Sequence, residues 1–213
     1  MVGLSEGESS VTQRIGILGG TFDPPHIGHL VLAEYAAEAL AFERVLFVPA
    51  ATPPHKLHET RTSIEHRVGM LTLAIASNPR FALSRVDIDR PGPHYTVDMI
   101  AILQSQYPDA ELYFVMGGDS LRDLPKWNRP AELIRCCKLV VLQRPNMEPI
   151  SPFMHEDILP GLAERVLILD DPLLGFSSTG IVARLHSGRS IRYMTPDPVL
   201  AYIHEHQLYR KPE

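Results

Sequence analysis

Short apolar runs recur along the chain and are separated by longer stretches with a different spacing of apolar positions. The runs are "RIGILGG" (14–20), "RVLFVPA" (44–50), "RFALSRVDI" (80–88), "ELYFVMGG" (111–118), "KLVVLQR" (138–144) and "RVLILDD" (165–171). The third alternates over part of its length; the others are nearly continuous, the pattern of strands buried on both faces. Between them, 29–40, 63–77 and 96–107 carry apolar residues at helical spacing. Strand–helix–strand alternation predicts an α/β fold: a mostly parallel sheet with helices on both faces. A C-terminal helix is expected over 197–208, with Asp197 as its N-cap and Pro198 in its first position. The Pro-rich, polar stretch 143–164 reads as a long excursion before the last strand. The expected organisation is a flexible N-terminal extension, 1–13, followed by one domain, 14–213.

Composition narrows this only modestly. The chain has 213 residues, 45% hydrophobic and 21% charged, enough for a sizeable core. A formal charge of -5 offers no basic footprint, so neither nucleic acid nor an anionic membrane is an expected partner. Cys136 and Cys137 are adjacent in "LIRCCKLVVL" and read as buried thiols beside a strand. Together with an N-terminus that lacks an apolar core of signal-peptide length and with no apolar stretch of membrane-spanning length, they lead to the expectation of a cytoplasmic protein. A homo-oligomer is compatible with all of this.

The chemistry concentrates at the strand ends. "GILGGTFDPPHIGHL" (16–30) follows the first apolar run and places His26 and His29 three residues apart where a helix is expected to begin, near Gly28-His29. Metal ligation, base catalysis and phosphate binding all use histidine. In an open α/β sheet ligands bind beyond the carboxyl ends of the strands, where helix N-termini point at them. Gly19 and Gly20 leave backbone amides accessible and Gly28 removes a side chain between the histidines, which suits a phosphate. Neither the Gly-x-x-x-x-Gly-Lys-Ser/Thr loop nor a Gly-x-Gly-x-x-Gly fingerprint follows the strand. A metal site is disfavoured because no zinc-protease glutamate accompanies the pair. A second anion site is suggested by Ser177, Ser178 and Thr179, hydroxyls before the short amphipathic run Ile181 to Leu185. Lys56, in the proline-stiffened "PATPPHKLH" (49–58), offers a compact cation at the same sheet edge. Trp127 lies in "LPKWNRP" between charged residues and prolines, where it serves either packing or stacking.

These residues resemble a known family. "GGTFDPPHIGH" is similar to the T-x-G-H class of nucleotidylyltransferases, with His-x-Gly-His at 26–29, and "SSTGI" to the Ile-Ser-Ser-Thr-x-x-Arg signature of that class. "PPHK" (53–56), "EHR" (65–67), "PHYTVDMI" (93–100), "GGDS" (117–120), Trp127 and "SIRYMTPDPVLAYI" (190–203) resemble the bacterial nicotinate mononucleotide adenylyltransferases. The resemblance implies a Rossmann-like fold of the adenylyltransferase type. It also implies transfer of the AMP moiety of ATP to nicotinate mononucleotide, with Mg²⁺, giving deamido-NAD and pyrophosphate. By resemblance, His29 would bind the α-phosphoryl group and His26 the triphosphate. Gly20, Thr21 and Phe22 would line the nucleotide turn, Lys56 would reach phosphate, Ser178 and Thr179 would hold the β/γ end, and Asp119 would lie near a ribose. Tyr95, Thr96 and Trp127 would shape the pyridine pocket. The signature has arginine where this chain has Val182. Arg184 stands two residues on, about 200° around a helix, so it cannot simply substitute; either Arg144, Arg189 or Arg192 compensates, or triphosphate binding is weaker. Alternative acceptors are nicotinamide mononucleotide and phosphopantetheine. From other classes come a regulatory module that binds ATP without turnover and, last, a zinc-dependent hydrolase.

Overall fold

The computed structural model describes residues 13–51, 62–143, 148–170 and 175–210. Its six strands are β1 (Arg14–Gly20), β2 (Arg44–Pro49), β3 (Phe81–Leu83), β4 (Glu111–Gly117), β5 (Lys138–Gln143) and β6 (Val166–Asp170). They form one sheet in the order β3-β2-β1-β4-β5-β6, every described pair parallel. The helices are α1 (Ile27–Leu40), α2 (Ile64–Ile75), α3 (Thr96–Gln106), α4 (Gly118–Asp123), α5 (Pro130–Cys136), α6 (Ser178–His186) and α7 (Asp197–Glu205).

The period of two along each strand divides the core. Ile15, Ile17, Leu46, Val48, Leu112, Phe114, Leu139 and Val141 point to one face, where Val97, Ile100 and Leu103 of α3 and Leu133 of α5 cover them. Leu18, Val45, Phe47, Tyr113, Val115, Val140 and Leu142 point to the other, against Ala33, Ala36 and Ala37 of α1, Met70, Leu71 and Ala74 of α2, Ile181 of α6 and Val199 of α7. Both faces are buried, which is why these strands read as unbroken apolar runs. Gly16 has no room for a side chain: a Cβ there would meet the Phe42 ring at 2.6 Å.

Several sequence expectations need correction. The third run forms a strand only over Phe81–Leu83. Beyond it, Ile88 and Asp89 donate to the Arg85 carbonyl, so its later apolar positions belong to a turn. Helix α1 begins at Ile27 with His26 as N-cap, and α7 has Pro196 as N-cap, which puts Asp197 and Pro198 in its first turn. The described part of the 143–164 excursion is packed down. Ile150, Leu159 and Leu162 are buried in the α3-side core, and the Glu156 carboxylate accepts from the Gly161 and Ala163 amides at 2.6 and 2.8 Å. Cys137 is buried, and burial pushes its thiol up to about 12; Cys136 is half-buried. No helix among the described residues is long and apolar enough to cross a membrane.

Candidate active site

Strand order reverses direction at β1, so its carboxyl end and that of β4 diverge into a crevice, the position where doubly wound sheets bind ligands. A cavity of about 440 Å³ lies there. Its wall includes Gly20 and Thr21 after β1, Gly117 and Asp119 at the β4–α4 junction, Thr96 at the start of α3, and Trp127. The fold thus brings five sequence-selected positions 20, 21, 96, 119 and 127 onto one cavity, although they span more than a hundred residues of chain.

The histidines sit beside this cavity, at the N-terminus of α1. Their rings stack at 3.7 Å between centroids with an interplanar angle of 23°, and Phe22 meets His29 edge-on at 4.9 Å. Gly28 makes the stack possible, since a Cβ there would lie 2.9 Å from His26 Nδ1. Phe22 is 1% exposed, with its backbone in the left-handed region at φ 50°, so it supports the histidines from beneath instead of lining the cavity. The His26 backbone N–H donates to His29 Nδ1 at 3.2 Å. An accepting Nδ1 places the proton of neutral His29 on Nε2, leaving that N–H as the ring's donor. Burial lowers His26 to about 4; burial first, and then His26 itself, lower His29 to about 3. Both rings are therefore neutral at pH 7. His26 Nδ1 is buried over the first turn of α1, beside Gly28, where His26 and His29 form a capping box.

The hydroxyl cluster joins this wall from the far end of the sequence. Ser177 is the N-cap of α6, its Oγ accepting from the Gly180 amide at 3.1 Å. Ser178 Oγ donates to the Pro24 carbonyl at 2.9 Å, tying α6 to the turn before His26, and Thr179 is exposed in the same first helical turn. Arg184 does not take the place of the arginine absent at Val182: its Nε and Nη2 both donate to the Ser190 carbonyl, at 3.0 and 2.9 Å. Arg189 and Arg192 are exposed. Lys56 and Arg144 lie outside the described residues.

On the β4 side, Asp119 occupies the first turn of α4, whose N-cap is Gly117. Its side chain is 75% exposed and pairs with Arg122 at 3.2 Å. Trp127 packs edge-on against Phe114 at 6.2 Å and keeps part of its surface on the cavity. Tyr95, the N-cap of α3, packs against the core, while its neighbour His94 lines the cavity.

Sequence reasoning gave no role to two groups here, the second of which stands in the "EHR" (65–67) quoted above. Asp87, 6% exposed, lines the cavity with His94 and accepts from Arg90 Nη2 at 2.6 Å and from the Ala51 amide at 3.3 Å. Arg67, 2% exposed, lies behind the site. The latter left a signal, because Arg67, Met70, Leu71 and Ala74 share one buried stripe of α2.

A model of the cytidylyltransferase-like family matches residues 17–184, which sets the class: a cytidylyltransferase-like nucleotidyltransferase. At full length, the chain is 46% identical to a probable nicotinate-nucleotide adenylyltransferase of Thermomicrobium roseum, over 94% of this chain and 93% of that one. A protein of the same description from a Roseiflexus species is 44% identical, over 92% and 98%. The chain belongs to the nicotinate-nucleotide adenylyltransferase family. Its fold is also that of the Plasmodium falciparum nicotinic acid mononucleotide adenylyltransferase complexed with NaAD, with a TM-score of 0.74 over 92% of this chain and 97% of that one, at 18% identity.

Proposed function

We propose that this protein transfers the AMP moiety of ATP to nicotinate mononucleotide, giving deamido-NAD and pyrophosphate in NAD biosynthesis. The observation that carries the proposal is the neutral, stacked His26–His29 pair, which leaves a fixed Nε2–H donor at the switch point of the sheet. A phosphate monoester is mostly ionised at neutral pH, so the acceptor needs no base. Its phosphate oxygen bonds to the α-phosphorus, the bond from that phosphorus to the bridging oxygen breaks, and pyrophosphate leaves with the electron pair. What such a reaction asks of a protein is alignment of two anions and donors aimed at the charge that develops.

The chain's own residues fit those tasks. His29 would donate through Nε2 to the α-phosphoryl oxygens, and His26 would serve the triphosphate. Backbone amides at Gly20 and Thr21, the first-turn amide of Ser178 and the hydroxyl of Thr179 would extend the same grip, while the Ser178 hydroxyl holds α6 against Pro24. Lys56 keeps the phosphate-binding role that resemblance implies, and Arg144 would serve as a substrate-binding cation. Thr96 and Trp127 would bound the pyridine, and Asp119 would accept from a ribose hydroxyl. Imidazole, amide and hydroxyl donors suit phosphate oxygens, whereas Mg²⁺ seeks oxygen ligands and keeps several waters. The ion would therefore be held by the triphosphate and its own waters and would supply charge neutralisation. The ATP substrate and the free thiols of Cys136 and Cys137 fit a cytoplasmic location.

The test is pyrophosphate release by the purified protein with Mg²⁺-ATP and, separately, nicotinate mononucleotide, nicotinamide mononucleotide and phosphopantetheine. Release with the first, together with a dinucleotide product, supports the proposal. Release only with another acceptor overturns the substrate assignment. ATP binding without release in any arm would make the protein a binding module, with Val182 the mark of lost turnover.

A further inference from the structure

Arg67 is a buried cation on α2 that touches neither the histidines nor the cavity, yet its donors run to the segments that carry them. Nη1 donates to the Thr21 carbonyl at 2.9 Å and to the Ala50 carbonyl at 2.8 Å. Nη2 donates to the Ala51 carbonyl at 3.3 Å, and Nε to the Thr62 carbonyl at 3.2 Å. One guanidinium thus joins three separate segments: the turn after β1, the loop after β2 and the approach to α2. Two of its acceptors, Thr21 and Ala50, belong to residues on the cavity wall. The same two segments are bonded directly, the Ala50 amide donating to the Gly20 carbonyl at 2.8 Å.

The contact with Thr21 sets a peptide plane. In a trans peptide the carbonyl and the following N–H point in opposite directions. With the Thr21 carbonyl turned back to Arg67, the Phe22 N–H is turned away from α2. Phe22 itself holds φ 50°, a left-handed conformation that a bulky residue keeps only when its surroundings impose it. Arg67 holds the residue before Phe22, and the residue after it is held as firmly. Asp23 Oδ2 accepts from the Thr62 amide at 3.1 Å, and Asp23 Oδ1 accepts from the Tyr209 hydroxyl. Burial, then the bond to Asp23, raise the Tyr209 phenol well above its ordinary range, so it remains a donor at every working pH.

We infer that Arg67 is a positioning residue for ATP: from behind the site it fixes the strained Thr21–Phe22–Asp23 turn and, through it, the entry into the His26–His29 stack. Lysine cannot do this work, because a single ammonium nitrogen cannot reach carbonyls spread over three segments as a planar fork does. The inference rests on the proposed use of ATP, and the test separates the two.

Binding of a methylene-bridged ATP analogue is measured by calorimetry without acceptor, on wild type and Arg67→Lys, well below either melting temperature. Steady-state kinetics then follow with nicotinate mononucleotide. The expected result is analogue binding weakened about tenfold, a comparable fall in kcat/KM for ATP, and a KM for nicotinate mononucleotide within about threefold of wild type. Analogue binding within twofold of wild type overturns the inference. So does a loss shared equally by both substrates, which is what a general loosening of the fold would produce. Should Arg67→Lys fail to fold, Tyr209→Phe carries the test, since it releases one side of the same turn and leaves the guanidinium in place. Weaker analogue binding with an unchanged acceptor KM then supports the brace, and unchanged binding overturns it. A wild type that binds the analogue but turns over no acceptor sinks the enzymatic reading while leaving this comparison readable. A wild type that does not bind the analogue overturns the inference as well.

Discussion

The two walls of the site are built differently. On the β1 side, space is filled by protein: a Cβ at Gly20 would press on the Phe22 ring at 3.1 Å, and one at Gly28 on the His26 ring. Strain at Phe22, the ring stack and the His26-to-His29 bond leave the imidazoles one arrangement. On the β4 side filling is uneven: a Cβ at Gly118 would meet Ile150 Cδ1 at 2.1 Å, but one at Gly117 would meet nothing within 4 Å, Asp119 reaches into solvent and Trp127 keeps a free surface. One wall is organised before any ligand arrives; the other leaves room for the ligand to complete it. Donors at a reaction centre act best when they need no rearrangement during the reaction, whereas a recognition surface can be finished by what it recognises.

The largest effect that would sharpen this contrast is expected from His29→Ala. Loss of a preorganised donor should lower kcat by roughly 10²–10³ while calorimetry shows ATP-analogue binding changed far less; equal losses would break the distinction. Acid should expose the same wall. Both histidines have folded-state values below their ordinary 6.5, so the unfolded chain binds more protons, and stability falls as pH drops from about 6.5 towards 4. Denaturant titration at pH 7 and pH 4.5 should show a loss of roughly 2 kcal/mol per histidine, with a smaller pH dependence in His29→Ala. Gly28→Ala should destabilise by about 1–3 kcal/mol and reduce turnover, read by thermal melting and kinetics together. Trp127→Ala should raise the acceptor KM about fivefold, a stacking contribution near 1 kcal/mol, and leave the ATP KM unchanged. The smallest effect belongs to Gly117→Ala, with stability within about 0.5 kcal/mol of wild type; a loss matching that of Gly28→Ala would abolish the contrast.

Legibility in the sequence followed the same division. The five longer strands were visible because parallel strands covered on both faces become continuous apolar runs, and α1 to α3 because they run long enough to establish a spacing. Helices α4 and α5, with six and seven residues, are too short to show a period and were not anticipated. The strand expected over 80–88 is present only at Phe81–Leu83, because alternating apolar residues also suit a turn packed on a core. At the site, the glycines and histidines raised the expectation of a phosphate turn, since their chemistry is local. The stacking, the neutral state of the rings and the tautomer of His29 arise from burial and were not readable. Asp87 and Arg67 were given no role for a related reason: each is a charge inside the protein whose partners come from other segments, while spacing along one segment was the guide.

The bond from Ser178 to Pro24 spans 154 positions, and that from Tyr209 to Asp23 spans 186. During synthesis the Thr21–Pro24 turn is therefore made long before Ser178 and Tyr209, the residues that fasten it. The five strands from β1 to β5 can pair, and the cavity at the β1–β4 crevice can form, while that turn still lacks both restraints. Contacts of such long separation form late in folding. The order of synthesis thus makes the β4 side of the cavity before the restraints on the turn that leads into His26 and His29, so a chain interrupted before Ser178 would carry the first without the second.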